Sequence, residues 1–184
     1  EDTSVGDISV VLKDVNFIAC HGRFIRELIK HLDPDNTELH SKLNDQKKKN
    51  LFIVKVGVNH KTFYLIRHCA RQYQGKWQSR ITPDPVCVRT EGGSICDEAP
   101  FRAQIQFLCS KHQGTAMGVF SSCLRRASET AAVVLDEVRR SHVSDPPDQV
   151  LVLPFCREHL NHLRNMDVLN NCKYREEFHT NCEG

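Results

Sequence analysis

The chain has no Cys-x-x-Cys pair, no glycine-rich loop of the kind that cradles phosphate, no nucleophile elbow and no His-Glu-x-x-His. These absences remove the signatures of thioredoxin-type redox chemistry, the commonest zinc ribbon, nucleotide-binding P-loops, α/β-hydrolases and zinc proteases. Long apolar runs are missing as well. Runs of a few residues, such as Val150 to Leu153, are far too short to cross a bilayer. Nothing repeats at the period of a solenoid. Nine cysteines in 184 residues fall below the roughly 8–10% that marks a disulfide scaffold. Their odd number would leave one free, or paired between chains, in a secreted protein.

A fourth absence is local. From Gln46 to Pro83 there is no Asp or Glu, yet nine basic residues stand there, so this segment carries +9 while the rest of the chain carries about −7. Phe52, Phe63, Tyr64, Tyr73 and Trp77 lie among them. A basic ribbon with aromatics can neutralise phosphates and stack bases, and it can equally bind an acidic protein. In the blander alternative the aromatics face a core while the lysines face water. The nucleic-acid contacts expected here are Lys47, Lys48, Lys49, Lys55, Lys61, Arg67, Arg71 and Arg80.

With 40% hydrophobic and 26% charged residues the composition is that of a globular α+β protein of one domain or three small parts. Residues 1–50 are expected to be helical. Over 10–32, Val11, Val15, Ile18, Ile25, Leu28, Ile29 and Leu32 recur at helical spacing, with a break near Gly22, and offer a docking face to a larger complex. Asn36 caps a second helix ending near Lys48. Residues 51–83 read as a basic β-hairpin turning at Asn59-His60-Lys61. Residues 84–184 form a Cys/His-rich part: an irregular cysteine segment, a long helix over 122–140, a buried strand of about five residues within 150–155 and a final helix beyond Cys156.

Zinc takes four thiolate or imidazole ligands, and two from one tight turn lower the closure cost. Cys109-x-x-His112 and Cys156-x-x-His159 have that spacing, each behind an apolar run. Cys87, Cys96, Cys109 and His112 supply one full set. Cys156 and His159 with Cys172 and Cys182 supply a second, for which His179 and Cys123 are further candidates. The first set, "CVRTEGGSIC" followed by "FLCSKH" with spacing Cys-x8-Cys-x12-Cys-x2-His, resembles the Cys3His zinc motif of plant WRC domains and of related modules in the nonspecific-lethal chromatin complex. That resemblance covers residues 87–112 only. It implies one structural zinc beside surfaces that bind DNA or chromatin subunits.

One stretch points elsewhere. "YLIRHCAR" ends a strand with Arg67, His68 and Arg71 and resembles the Arg-His-Gly motif of histidine phosphatases. Cys69 stands where that motif has Gly, and nothing downstream clearly supplies its second histidine and acid. Cys69 beside His68 makes no nucleophile–base pair either, because neighbours on a strand face opposite ways. From sequence, then, no catalytic residue and no enzyme is expected. The expectation is a nuclear zinc-binding module that recognises DNA, RNA or a chromatin protein and makes no membrane contact. The alternative is a secreted binding protein with four disulfides and one free cysteine. Counting reactive thiols in denaturant separates the two: about nine for the zinc module and about one for the secreted protein.

Overall fold

A computed structural model describes residues 12–45, 50–70, 87, 89–90, 93–94, 99–141, 145–153 and 156. It is an α+β structure built on a mixed sheet of five strands, β1 (Val15–Cys20), β2 (Ile53–Val58), β3 (Lys61–Arg67), β6 (Met117–Ser121) and β7 (Leu151–Val152), in the order β2-β3-β1-β6-β7. A two-stranded ribbon, β4 (Arg89–Thr90) with β5 (Gly93–Ser94), lies apart from it. β1 runs parallel to both β3 and β6, and β7 runs parallel to β6. Among the described residues the one antiparallel partner in the large sheet is β2, which joins β3 in the expected hairpin. Its turn residues Asn59 and His60 both have left-handed backbone, φ 48° and 65°, as the twist of a two-residue hairpin demands.

Helices cover both faces of the sheet. On one face Val15, Phe17, Ala19, Tyr64, Ile66, Met117 and Val119 pack with Phe101, Ile105 and Cys109 of α3 (Ala99–Ser110). The same cluster takes Ala131, Val134, Leu135 and Val138 of α4 (Arg125–Arg140). On the other face Ile18, Cys20, Leu65 and Phe120 meet Ile25 and Ile29 of α1 (Gly22–Leu32) and Leu43 of α2 (Thr37–Asp45). Among the described residues no helix is long and apolar enough to cross a membrane.

Two elements differ from the sequence expectation. Residues 15–20 form a strand, although their apolar positions continue the helical spacing of α1. All six are buried, because a central parallel strand is covered on both faces and reads as an unbroken apolar run, not an alternation. The apolar face over 11–32 is therefore largely taken up by the chain's own core: Val15, Ile18, Ile25 and Ile29 are buried. Within the segment expected to be irregular, α3 forms instead. Pro100 sits in its first turn, where a missing N–H costs nothing, and Phe101, Ile105 and Cys109 recur every four residues. Asn36 does cap α2, its Oδ1 accepting from Leu39 N at 3.0 Å. The expected helix beyond Cys156 lies outside the described residues.

Gly118 marks the tightest point of the sheet. A methyl group there would stand 2.7 Å from the Phe120 ring and 3.0 Å from Asn16 Oδ1, and Asn16 is itself buried and bonded to the Lys13 backbone. Nothing lies within 4 Å of the same position on Gly57. Gly118→Ala is thus expected to lower the free energy of unfolding by about 1–3 kcal/mol, and Gly57→Ala by less than about 0.5 kcal/mol, in urea titrations of the two variants.

Candidate functional site

The parallel register of β1, β3 and β6 brings three chain segments to one end of the sheet. Cys20 is paired with Arg67 and Ala19 with Ser121. The ladder continues one step further, with His68 N donating to Cys20 O at 3.0 Å and Ser122 N to Ala19 O at 2.9 Å. Just past these bonds stand His21, His68 and, in the first turn of α4, Arg126. Open α/β sheets place their ligands in this position, outside the carboxyl ends of parallel strands.

The two histidines meet with ring centroids 5.1 Å apart, and their partners fix different tautomers. His68 Nδ1 lies 2.7 Å from Cys69 O. A carbonyl only accepts, so Nδ1 carries the proton and Nε2 holds a lone pair. Arg126 Nε donates to that lone pair at 3.1 Å. In His21 the order is reversed: Nδ1 accepts from Arg23 N at 3.3 Å as the N-cap of α1, which leaves the proton of a neutral ring on Nε2. One imidazole therefore presents a nucleophilic nitrogen and its neighbour an N–H donor.

Positive charge surrounds the pair. Arg126 is 3% exposed, an unusual burial for a guanidinium. Arg67 packs flat on Gly22, where an added methyl would stand 3.0 Å from its Cδ and Nε, and its guanidinium lies 6.0 Å from the Phe52 ring centroid. The amino end of α4 adds the positive pole of a 16-residue helix. Burial, then Arg126, His21 and Arg67, hold His68 well below the usual histidine range, against the opposing pull of the Cys69 carbonyl. Ser122 Oγ is buried here too and has no hydrogen-bond partner among the described residues. A lone-pair nitrogen among cationic groups is suited to attack an electrophilic atom inside an anionic group, such as the phosphorus of a phosphate.

The cysteines and histidines expected to bind zinc are distributed differently. Cys87 is joined to Cys69 in a disulfide, and a sulfur so bonded is no thiolate. Cys109 is buried in the helical layer, where burial raises its thiol pKa. His112 shares a 2.8 Å hydrogen bond with the Tyr64 hydroxyl. Cys156 packs with Cys20 against the α1 side of the sheet, its pKa pushed up to about 12 by burial and by neighbouring Cys123. Among the described residues no three His, Cys, Asp or Glu side chains gather as a metal site. Cys96, His159, Cys172, His179 and Cys182 lie outside the described residues. With one disulfide and free thiols at Cys20, Cys109 and Cys156, the sulfur state falls between the two extremes that a thiol count was to separate.

Of the basic residues, Lys47, Lys48, Lys49, Arg71 and Arg80 also lie outside the described residues. Lys55 is exposed on β2. Lys61 Nζ donates to Leu12 O at 3.0 Å and so closes the start of β1 onto the hairpin. Tyr64 is stacked on Phe17 in the core. Arg67 stands at the histidine pair. His21 and Arg126 were missed from sequence: "ACHGRF" was read as helix, and "CLRRAS" as the ordinary start of an amphipathic one.

No family model, curated protein or solved structure matches this chain.

The depressed pKa of His68 sets a sign for stability. Below the unfolded value, roughly 6.5, the unfolded chain binds the proton that the folded chain refuses, so stability is full above that pH and falls as the pH drops. The expected slope from His68 approaches about 1.4 kcal/mol per pH unit, and His112, lowered by burial, Lys55 and Lys111, acts in the same direction. Urea unfolding at pH 7.5 and pH 5 reads this loss. It is expected to be clearly smaller in His68→Gln, and an equal loss in that variant would show that His68 is not the group responsible.

Proposed function

We propose that this chain is a phosphoryl-transfer enzyme with a histidine nucleophile, acting on phosphate monoesters. The observation that carries the reading is the His68 Nε2 lone pair, bonded to Arg126 and flanked by His21 and Arg67 at one end of the sheet. The resemblance of "YLIRHCAR" to the Arg-His-Gly motif of histidine phosphatases supports it. That motif needs a second histidine, and His21 is well positioned to serve as one, upstream in the chain.

In this reading the phosphoryl oxygens bind among Arg67, Arg126 and the His21 N–H, displacing Arg126 from the His68 lone pair. Nε2 attacks phosphorus: a P–N bond forms, the ester P–O bond breaks, and the leaving oxygen departs with the bonding pair and takes a proton from solvent. The phosphorylated ring keeps its Nδ1 proton and is cationic, a charge that the Cys69 carbonyl stabilises. Water then attacks phosphorus, the P–N bond breaks, and inorganic phosphate leaves with Nε2 restored. Preorganised donors around the phosphoryl group provide the main rate enhancement. Glu129 is engaged elsewhere, with Arg125 and with Cys87 N.

The zinc-bracing, nucleic-acid-binding reading draws on Cys96, Cys172, Cys182, His159 and five basic residues outside the described part. The described residues add no further support to it, and the histidine centre therefore takes precedence.

Brief incubation with p-nitrophenyl phosphate, acid-free quenching and peptide mapping is expected to find phosphate on His68, stable to alkali and lost in acid. His68→Asn is expected to lower turnover by at least about 10³-fold, and Arg126→Lys by about 10²-fold. A fully active His68→Asn variant would overturn the reading. Turnover should persist well below pH 6.5, since the nucleophile itself resists protonation.

A further inference from the structure

The residue after the nucleophile is Cys69, where the histidine phosphatase motif has Gly, and it is bonded to a cysteine 18 residues away. Both sulfurs belong to fully buried residues. The backbone on either side of this bond is tied to the site at several points. Cys69 O accepts a hydrogen bond from His68 Nδ1. Cys69 N donates to Thr130 Oγ1 at 3.1 Å, and that hydroxyl donates to Arg126 O at 2.8 Å. Cys87 Sγ lies 3.5 Å from the same Arg126 oxygen. Cys87 N donates to Glu129 Oε2 at 2.9 Å, and Glu129 in turn pairs with Arg125.

These contacts form one closed frame. The disulfide joins the carbonyl that orients His68 to the first two turns of α4, which carry Arg126. A glycine after the nucleophile would let the peptide rotate, whereas a cross-linked cysteine fixes where its carbonyl points. We propose that the Cys69–Cys87 disulfide is a positioning element for the His68 centre, so that the chain reaches full phosphoryl-transfer activity only when this pair is oxidised. The activity part rests on the function proposed above; the positioning part does not.

The test compares air-oxidised protein with protein reduced by dithiothreitol in denaturant and refolded with the reductant present. The dithiol gives two electrons and two protons to the protein disulfide, leaving thiols at Cys69 and Cys87 and the reagent as its own disulfide. Two quantities are read: turnover of p-nitrophenyl phosphate, and the rate at which diethyl pyrocarbonate acylates His68, followed by peptide mass.

Reduction is expected to lower kcat by at least about tenfold with KM changed by less than about threefold, and to speed acylation of His68. The double variant Cys69→Ala/Cys87→Ala is expected to behave as the reduced protein. Should it fail to fold, Thr130→Val keeps the disulfide and is expected to lower kcat in the same direction. Unchanged kcat together with an unchanged acylation rate overturns the proposal, as does a map showing thiols at both positions in oxidised protein. If neither form turns over substrate but acylation still responds to reduction, the phosphoryl-transfer reading fails and the positioning role stands.

Discussion

The site depends on one constraint, the in-register parallel alignment of β1 with strands on both sides. Parallel neighbours share a direction, so their carboxyl ends finish together, and here they finish within one residue of each other. That alignment turns three separate stretches, Cys20–His21, Arg67–His68 and Ser122–Arg126, into neighbours. A slip of two residues would keep every apolar side chain on its own face. It would also carry these strand ends about 7 Å apart, too far for Arg126 to reach His68. The buried ladder and the tight contact of Gly118 with Phe120 and Asn16 resist such a slip.

The sheet also determines the electrostatics. His68 leaves β3 with its amide on Cys20 O, and its ring is buried at that end of the sheet. Burial alone would already favour the neutral imidazole. Two guanidiniums then act against protonation a second time, and the Cys69 carbonyl chooses which nitrogen keeps the proton. Perturbed histidines beside clustered charges at a strand end are a common property of ligand sites. At the opposite end of α4, buried Glu137 is matched by Arg102, Arg140 and Gln106.

Much of the fold was legible in the sequence. The hairpin, the Asn36 cap and the long helix ending at Arg140 all follow from local rules, namely turn chemistry, capping and one apolar stripe. The strand at 15–20 was not legible, because a segment buried on both faces has no alternation, and its spacing joins smoothly onto the helix that follows. α3 was hidden by its own cysteine. Cys109 fits a Cys-x-x-His spacing and also the fourth-residue stripe of a buried helix, and in the structure it lies in the core. Only a distant residue decides between such readings, and for Cys87 that residue is Cys69.

The proposed histidine centre was half legible for a more general reason. "YLIRHCAR" carries the recognisable half, and the motif it resembles has its second histidine downstream. Geometry imposes no such order. The same catalytic constellation recurs with its members in different chain sequence on unrelated folds, since only their final positions matter. A strand contributing a site residue from one side of the sheet can precede or follow its neighbour in the chain, provided that the parallel register is kept. His21 reaches His68 across a β1–β3 pairing formed between residues 47 apart in sequence, and Arg126 reaches it from 58 residues beyond. The signal that could have found His21 was thus not spacing but chemistry: a histidine and a glycine directly after an unbroken apolar run, at the start of a helix.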